Sequence, residues 1–270
     1  MFLFTLVASL AAAAEPEFVG TEKAPAEEVA KPEAHLTAEF GGALTTGNSE
    51  FYLLTGGLNG SYKWKRSKIG LKGGAVAGSS RIDADGNGTL SEAERSAPFV
   101  QSAKRIFGDL RYDYFLSDRD SLYVLVGAFH DPFAGYDLRS HEQIGYSRML
   151  IKNDKTTLVG EIGIDAAQEN YKVGDDGIDP PVKHVIAGRV LVGLTHKFSE
   201  GVGFEDTFEI YEAVPTFADV RIYNTASLVS ALGSKFSLKL SHSLIFDNIP
   251  VEGFQKLDQT MNVTLVASIL

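Results

Sequence analysis

The chain has 270 residues, with 25 Lys+Arg against 35 Asp+Glu for a net charge of −10, no cysteine, 27 glycines and 44% hydrophobic residues. That suffices for one large domain and is not a disordered composition. The lack of Cys removes disulfides, thiolate metal sites and cysteine nucleophiles, and the acidic balance argues against a nucleic-acid partner. Past the first residues no apolar run approaches the ~18 residues of a membrane helix, a limit that leaves β-barrels untouched.

Residues 1–14 hold a short apolar stretch that closes on Ala12-Ala13-Ala14 before Glu15-Pro16. This reads as the core and cleavage site of a secretory signal peptide, although its basic start is missing. Residues 15–34 mix Glu, Ala, Pro and Lys without a hydrophobic period and read as a disordered periplasmic linker. The linker carries −4 and the run 83–94 another −4, so the remainder of the chain stands near −2.

From His35 onward the dominant signal is period-two alternation punctuated by Gly, Asn, Asp and Ser. In 105–116, Ile106, Gly108, Leu110, Tyr112, Tyr114 and Leu116 share one face while Arg105, Phe107, Asp109, Arg111 and Asp113 share the other. The alternation predicts twelve strands near 35–46, 50–64, 68–80, 99–116, 121–130, 137–152, 156–172, 183–198, 202–213, 219–232, 236–247 and 257–270. Most are long enough to cross a bilayer at a tilt of about 40°. Short links at 65–67, 117–120, 153–154, 199–201 and 233–235 take turns with longer ones at 81–98, 131–136, 173–182, 214–218 and 248–256; the first outer link, 46–49, is short. The fold class expected is therefore all-β, an antiparallel transmembrane barrel of about 12 strands over 35–270, with short periplasmic turns and longer outer loops.

A charge facing lipid at the midplane costs roughly 2–4 kcal/mol, so the charged face should line the lumen. Alternation puts there Glu39, Lys63, Lys72, Arg105, Asp109, Arg111, Asp113, Glu161, Asp165, Arg189, Lys197, Glu205, Glu209, Arg221 and Lys239. So balanced a set predicts an interior cross-linked by ion pairs rather than a strongly selective pore. Aromatics near strand ends suggest two interfacial rings: Tyr62, Trp64, Tyr112, Tyr114, Tyr123, Phe198 and Phe236 at the turns, and Phe99, Phe129, Phe133, Tyr136, Tyr211, Phe217, Phe246 and Phe254 at the loops.

Several stretches resemble a known family: FGGALTTGN from Phe40, GDLRYDYFLSDR from Gly108, DPFAGYD from Asp131, SKFSLKLS from Ser234 and the closing Thr260 to Ile269. The body from about residue 36 to the end is similar to the salt-induced outer-membrane proteins, also called domain of unknown function 481. The resemblance implies a barrel in the Gram-negative outer membrane, of unknown activity and with no catalytic residues to carry over. The chain departs from outer-membrane barrels in placing Ile269, followed by Leu270, where the barrel-insertion machinery usually reads a terminal aromatic.

It also carries an insertion at 81–98, inside which residues 83–94 read D-A-D-G-N-G-T-L-S-E-A-E. This spacing matches a twelve-residue EF-hand loop. Asp83, Asp85 and Asn87 alternate to aim hard oxygens at one point, Gly88 permits the sharp turn, and Thr89 offers its carbonyl. Ser91 can hold a water, and Glu94 can close the site on one Ca²⁺ with both oxygens. The preceding LKGGAVAGSS is too rich in Gly and Ser for an entering helix, and only 91–96 could form a short exiting one. A lone loop is less pre-organised than a pair, so an affinity of roughly 10⁻⁵ to 10⁻³ M is expected. The acidic run 175–179 lacks the spacing and reads as a solvated outer turn, with a cation bound to lipopolysaccharide as a lesser reading.

No histidine pair has metal-binding i, i+4 spacing; His242-Ser243 are adjacent, hence on opposite faces, and His130-Asp131 is the least implausible dyad. The expectation is a non-enzymatic barrel, structural or a narrow channel for a small solute or ion, monomeric, surrounded by outer-membrane lipid and lipopolysaccharide. The alternative is a calcium-dependent hydrolase of outer-membrane lipid.

Overall fold

The computed structural model describes residues 32–47, 49–173, 182–214, 216–251 and 254–270. The signal-like segment, nearly all of the linker and the 175–179 run lie outside the described residues. In chain order the elements are β1 (Glu33–Thr45), β2 (Phe51–Trp64), β3 (Ser67–Ser80), α1 (Glu92–Ser96), β4 (Val100–Phe115), β5 (Asp120–Asp131), β6 (Tyr136–Lys152), β7 (Thr156–Tyr171), β8 (Lys183–Lys197), β9 (Val202–Val214), β10 (Val220–Ala231), β11 (Phe236–Asp247) and β12 (Leu257–Ser268). Every predicted strand is present with ends shifted by two residues or fewer. The first begins at Glu33, inside the segment expected to be linker, because residues 33–45 of β1 pair in unbroken register with 51–63 of β2.

Each strand pairs antiparallel with its sequence neighbours, and β1 returns to β12, so the sheet closes into a twelve-stranded barrel. Closure gives the strands partners on both sides, which is what a sheet surrounded by hydrocarbon requires. Short turns gather at one end and the longer connections at the other. Lys65, in the tight link between β2 and β3, takes a positive φ of 48°.

The side chains are distributed inside out relative to a water-soluble barrel. Leu54, Leu58, Ile69, Leu71, Ile106, Leu110, Ile144, Ile162, Ile164 and Val190 stand exposed on the exterior, while Lys63, Arg105, Arg111, Asp113, Glu161, Asp165, Arg189, Glu209 and Arg221 are buried in the lumen. Lys197 and Glu205 share the inward parity but sit near the turn end and are exposed. The assigned aromatic rings hold in part: Tyr62, Tyr114, Phe198 and Phe236 at the turns, and Phe99, Phe133, Phe217 and Phe254 at the loops, are exposed. Tyr123, Phe129 and Tyr211 instead point inward, because their parity matches that of the charged residues, and Tyr136 joins them because the register shifts between it and Leu138. Tyr123 is the clearest case, fully buried with the Arg111 guanidinium 4.1 Å from its ring.

Glycines make room for these inward groups. A Cβ on Gly145 would stand 2.5 Å from the Tyr123 hydroxyl and 2.4 Å from the Ile162 carbonyl, and one on Gly127 would meet Asp109 and His141.

Substituting Leu110→Lys, in the exterior belt, should lower barrel stability in lipid vesicles by ~2–4 kcal/mol. The same change at Phe254, in a loop-end connection, should leave it nearly unaltered. Urea unfolding followed by heat-modifiable gel mobility separates the two outcomes.

Candidate functional sites: the lumen and the inserted loop

Inward parity on β4 to β11 builds a continuous charged wall. Near the turn end, Arg111 donates to Asp113 at 2.9 Å and to Glu161 at 2.7 Å, and Glu161 also accepts from Arg189 at 3.0 Å. Arg189 continues to Glu209 and to the Tyr123 hydroxyl. At mid-depth His141 lies between Asp109 and Asp165, at 3.4 and 3.2 Å, while Gln143 bonds Asp165 at 3.0 Å and the Tyr211 hydroxyl at 2.9 Å. Toward the loop end Glu169 accepts from Arg139 at 3.2 Å and from Arg221, and Arg221 reaches Asp219 and Asp247. Arg105 pairs with Asp131 at 3.1 Å, its guanidinium 4.4 Å over Phe129.

Arg139, His141, Gln143, Glu169, Asp219 and Asp247 join this wall without having been picked out in the sequence, and Asp131, read there as half of a dyad with His130, joins it through Arg105. The signal for four of them was available: Glu169 continues Glu161 and Asp165 at steps of four along β7, and Arg139, His141 and Gln143 follow one another at steps of two along β6. Asp219 lies in a connection, where alternation says nothing.

Around β1 to β3 and β12, and on the turn-end parts of β8 to β11, the inward groups are smaller. There the lumen keeps a cavity of ≈ 520 Å³ whose lining includes Thr37, Thr55, Asn59, Ser61, Ser241 and Thr264. Its charged groups are Lys63, Lys68, Lys72, Arg105 and Lys239 against Glu33, Glu39 and Glu205. Charge balance therefore holds for the interior as a whole but not for each wall, and the open side is the more basic one.

The insertion after β3 is a closed loop standing on the barrel rim. Asp83 accepts from the backbone N–H of Gly86 at 2.8 Å and of Gly88 at 2.7 Å, and those glycines take φ of +70° and +85°. Asn87 donates to Asp85 at 2.8 Å and accepts from the Thr89 hydroxyl at 2.7 Å. Glu94 accepts from the Ala84 N–H at 2.7 Å, which joins the two ends of the loop, and from the N–H and hydroxyl of Ser91 at 2.8 and 2.7 Å. Ser91 caps the five-residue α1 and Leu90 is buried beneath it. Carboxylate oxygens of Asp83, Asp85 and Glu94 come within 4.8 Å of one another. The structure thus gathers the three acids, with Asn87 on Asp85, Thr89 on Asn87 and Ser91 on Glu94. The base of the loop is clamped by Arg81, which donates to Glu50 at 2.6 Å and lies 4.3 Å over Phe99.

These bonds leave a mark on the acids. The N–H of Gly88 holds the Asp83 carboxyl below its ordinary pKa, and the Ser91 hydroxyl and N–H do the same for Glu94. Both are ionised at neutral pH, and this donor set of hard oxygens suits a calcium-sized cation.

Neither histidine dyad considered from the sequence is assembled. Asp131 turns inward to Arg105, whereas His130 Nδ1 lies 3.6 Å from Asp137. His242 bonds Gln259 on the exterior at 3.1 Å, while Ser243 bonds Thr225 inside at 2.9 Å.

Substituting Glu161→Gln should destabilise the barrel by ~3–5 kcal/mol, because Arg111 and Arg189 would keep buried charges without their shared counter-ion. A loss below ~1 kcal/mol in vesicle unfolding would mean that water enters this wall and screens it.

No curated protein matches the chain. Among solved structures the barrel is similar to the NanC porin, at 10% identity and a TM-score of 0.49 over 87% of this chain and 100% of that one. It is also similar to the CymD monoaromatic hydrocarbon channel, at 10% identity and a TM-score of 0.41 over 87% of each chain. The translocator domain of the autotransporter NalP from Neisseria meningitidis matches at 12% identity and a TM-score of 0.34 over 88% of each chain. These likenesses are of architecture alone. Residues 38–269 match the family described as "Protein of unknown function, DUF481", and with most of its length so matched the chain belongs to the DUF481 family.

Proposed function

We propose that this protein is a non-enzymatic outer-membrane β-barrel that works as a narrow, off-centre channel, with one Ca²⁺ held in the loop above its outer mouth. The observation that carries the reading is the division of the lumen: an ion-paired wall on β4 to β11, and beside it a cavity of ≈ 520 Å³ lined by hydroxyls, two amides, amines and carboxylates. A wholly structural barrel has no need of an open side. The short turns face the periplasm and the longer loops the outside, amid lipid and lipopolysaccharide. The Ile269 N–H bonds the Leu36 carbonyl at 2.8 Å and ties the last strand to the first. Among the described residues, neither histidine dyad considered for the lipid-hydrolase alternative is assembled.

Asp83, Asp85, Asn87, the Thr89 carbonyl and Glu94 would hold the ion, with Ser91 acting through water. The ion would neutralise a cluster of like charges and stiffen the loop, letting it settle over the mouth or against anionic lipopolysaccharide.

Three outcomes test the proposal. Refolded protein in planar bilayers should pass ions in small steps with a mild anion preference, and Lys72→Glu should move the reversal potential toward cations; millimolar calcium should reduce the steps. Silence at low and high calcium, with the barrel shown folded, would leave a structural role. Glu94→Ala should abolish calcium-dependent protection of residues 81–98 from proteolysis while leaving SDS resistance unchanged; persistent protection would sink the site. The loop's order rests on two carboxyls with depressed pKa, so it is complete above the ordinary carboxylate range and fails as pH falls below it. Calcium protection should therefore survive mild acidification and vanish only under stronger acid.

A further inference from the structure

Ladder lengths around the barrel are uneven at one place. The β1–β2 ladder runs over thirteen residue pairs and β11–β12 over eleven, but the closing β1–β12 ladder has only five, from Thr37↔Ser268 to Gly41↔Thr264. Residues 42–45 of β1 and 257–263 of β12 lie beyond it, toward the loop end. The ladder stops at a tight approach: a Cβ on Gly41 would meet Thr264 at 2.7 Å and the Val263 carbonyl at 2.8 Å. Just below, Lys239 on β11 reaches across β12 to Glu39 on β1 at 3.1 Å and pins the closed part.

Two independent features mark the same place. Leu44, Met261 and Phe40 are 77%, 68% and 64% exposed, among the most exposed large apolar side chains of the barrel, so side chains along β1 and β12 shield one another little. The exterior at β11 and β12 also carries His242 and Gln259, bonded at 3.1 Å, on a face that is otherwise largely apolar there. Polar groups on a lipid face are costly unless something polar comes to them. On the inner side, Asn262 and Glu39 line the lumen cavity, and Asn262 belongs to the part of β12 beyond the ladder.

We propose that the upper β1–β12 seam is a lateral portal through which a single-chain amphiphile with an anionic head passes between the lumen cavity and the outer leaflet. This rests on the channel reading, because the portal opens into the same cavity. The β1 edge beyond the ladder is four residues, or ~13 Å, long, and in hydrocarbon a strand edge without a ladder partner demands polar company. The head finds it in turn at His242 and Gln259, at Asn262, and at Lys63, Lys68, Lys72 and Lys239 inside. The apolar chain slides past Leu44, Met261 and Val263. The cavity lies within the ~300–1,000 Å³ range of small-molecule sites.

The absence of native cysteine makes the test clean. If the ladder continued, Ala43 would oppose Asn262, so the full chain carrying Ala43→Cys and Asn262→Cys is bridged with a short bismaleimide in vesicles. Ala38→Cys with Ala267→Cys, partners within the ladder, is the control. A diazirine-bearing fatty acid in the bilayer is photoactivated and labelled residues are read by mass spectrometry. The expected result is labelling of lumen-facing Thr55 and Asn59 in the unbridged protein, lost on bridging 43 to 262 and kept on bridging 38 to 267, with exterior labelling constant. Lumen labelling that is absent in the unbridged protein, or that survives the 43–262 bridge, overturns the portal. Ion conductance is measured on the same samples: steps that persist in the bridged barrel while labelling behaves otherwise leave the channel standing without a portal, and a lack of conductance in every sample counts against the channel itself.

Discussion

A sheet in hydrocarbon must satisfy its own backbone, and closure of the β1 to β12 ring is how this chain does so. The rest follows from that closure. Once the ring exists, each strand has one face toward lipid and one toward the lumen, and the cost of a charge at the midplane sends Arg, Lys, Asp and Glu inward. Charges collected in so small a space must then pair, because removal from water is tolerable only when opposite charges and hydrogen bonds replace it.

Pairing determines the shape of the lumen. Arg111, Glu161, Arg189 and Glu209 follow one another from β4 to β9, with Tyr123 as a hydrogen-bonding post and Gly145 and Gly163 giving it space. Large groups on one wall demand small groups where they cross. On the other side, Thr37, Thr55, Ser61, Ser241 and Thr264 leave an opening. Filling one wall thus leaves the cavity along the other, and the same division places that cavity against the shortest ladder of the barrel.

The calcium-type loop obeys separate rules. Its order is local: Asp83, Glu94 and the backbone N–H groups they capture lie within twelve residues, and two left-handed glycines let the chain turn tightly enough to bring them together. The barrel contributes only the clamp at Arg81, Glu50 and Phe99. A loop of this kind can be grafted onto a rim without disturbing the strands beneath it.

What the sequence determined by itself is whatever depends on near neighbours along the chain. Period-two alternation announces twelve strands and their faces, turn residues announce the links, and the spacing of Asp83, Asp85, Asn87, Thr89, Ser91 and Glu94 announces a closed acidic loop, since each is written within a dozen residues. Tertiary structure alone decided which charges meet. Arg111 and Glu161 are fifty residues apart, and their contact depends on the stagger with which successive strands register, including shifts such as that between Met149 and Ile151. It decided too that the register shift before Leu138 turns Tyr136 into the lumen, and that the closing ladder stops at Gly41 and Thr264. Register and closure are properties of strand pairs, and no single strand carries them.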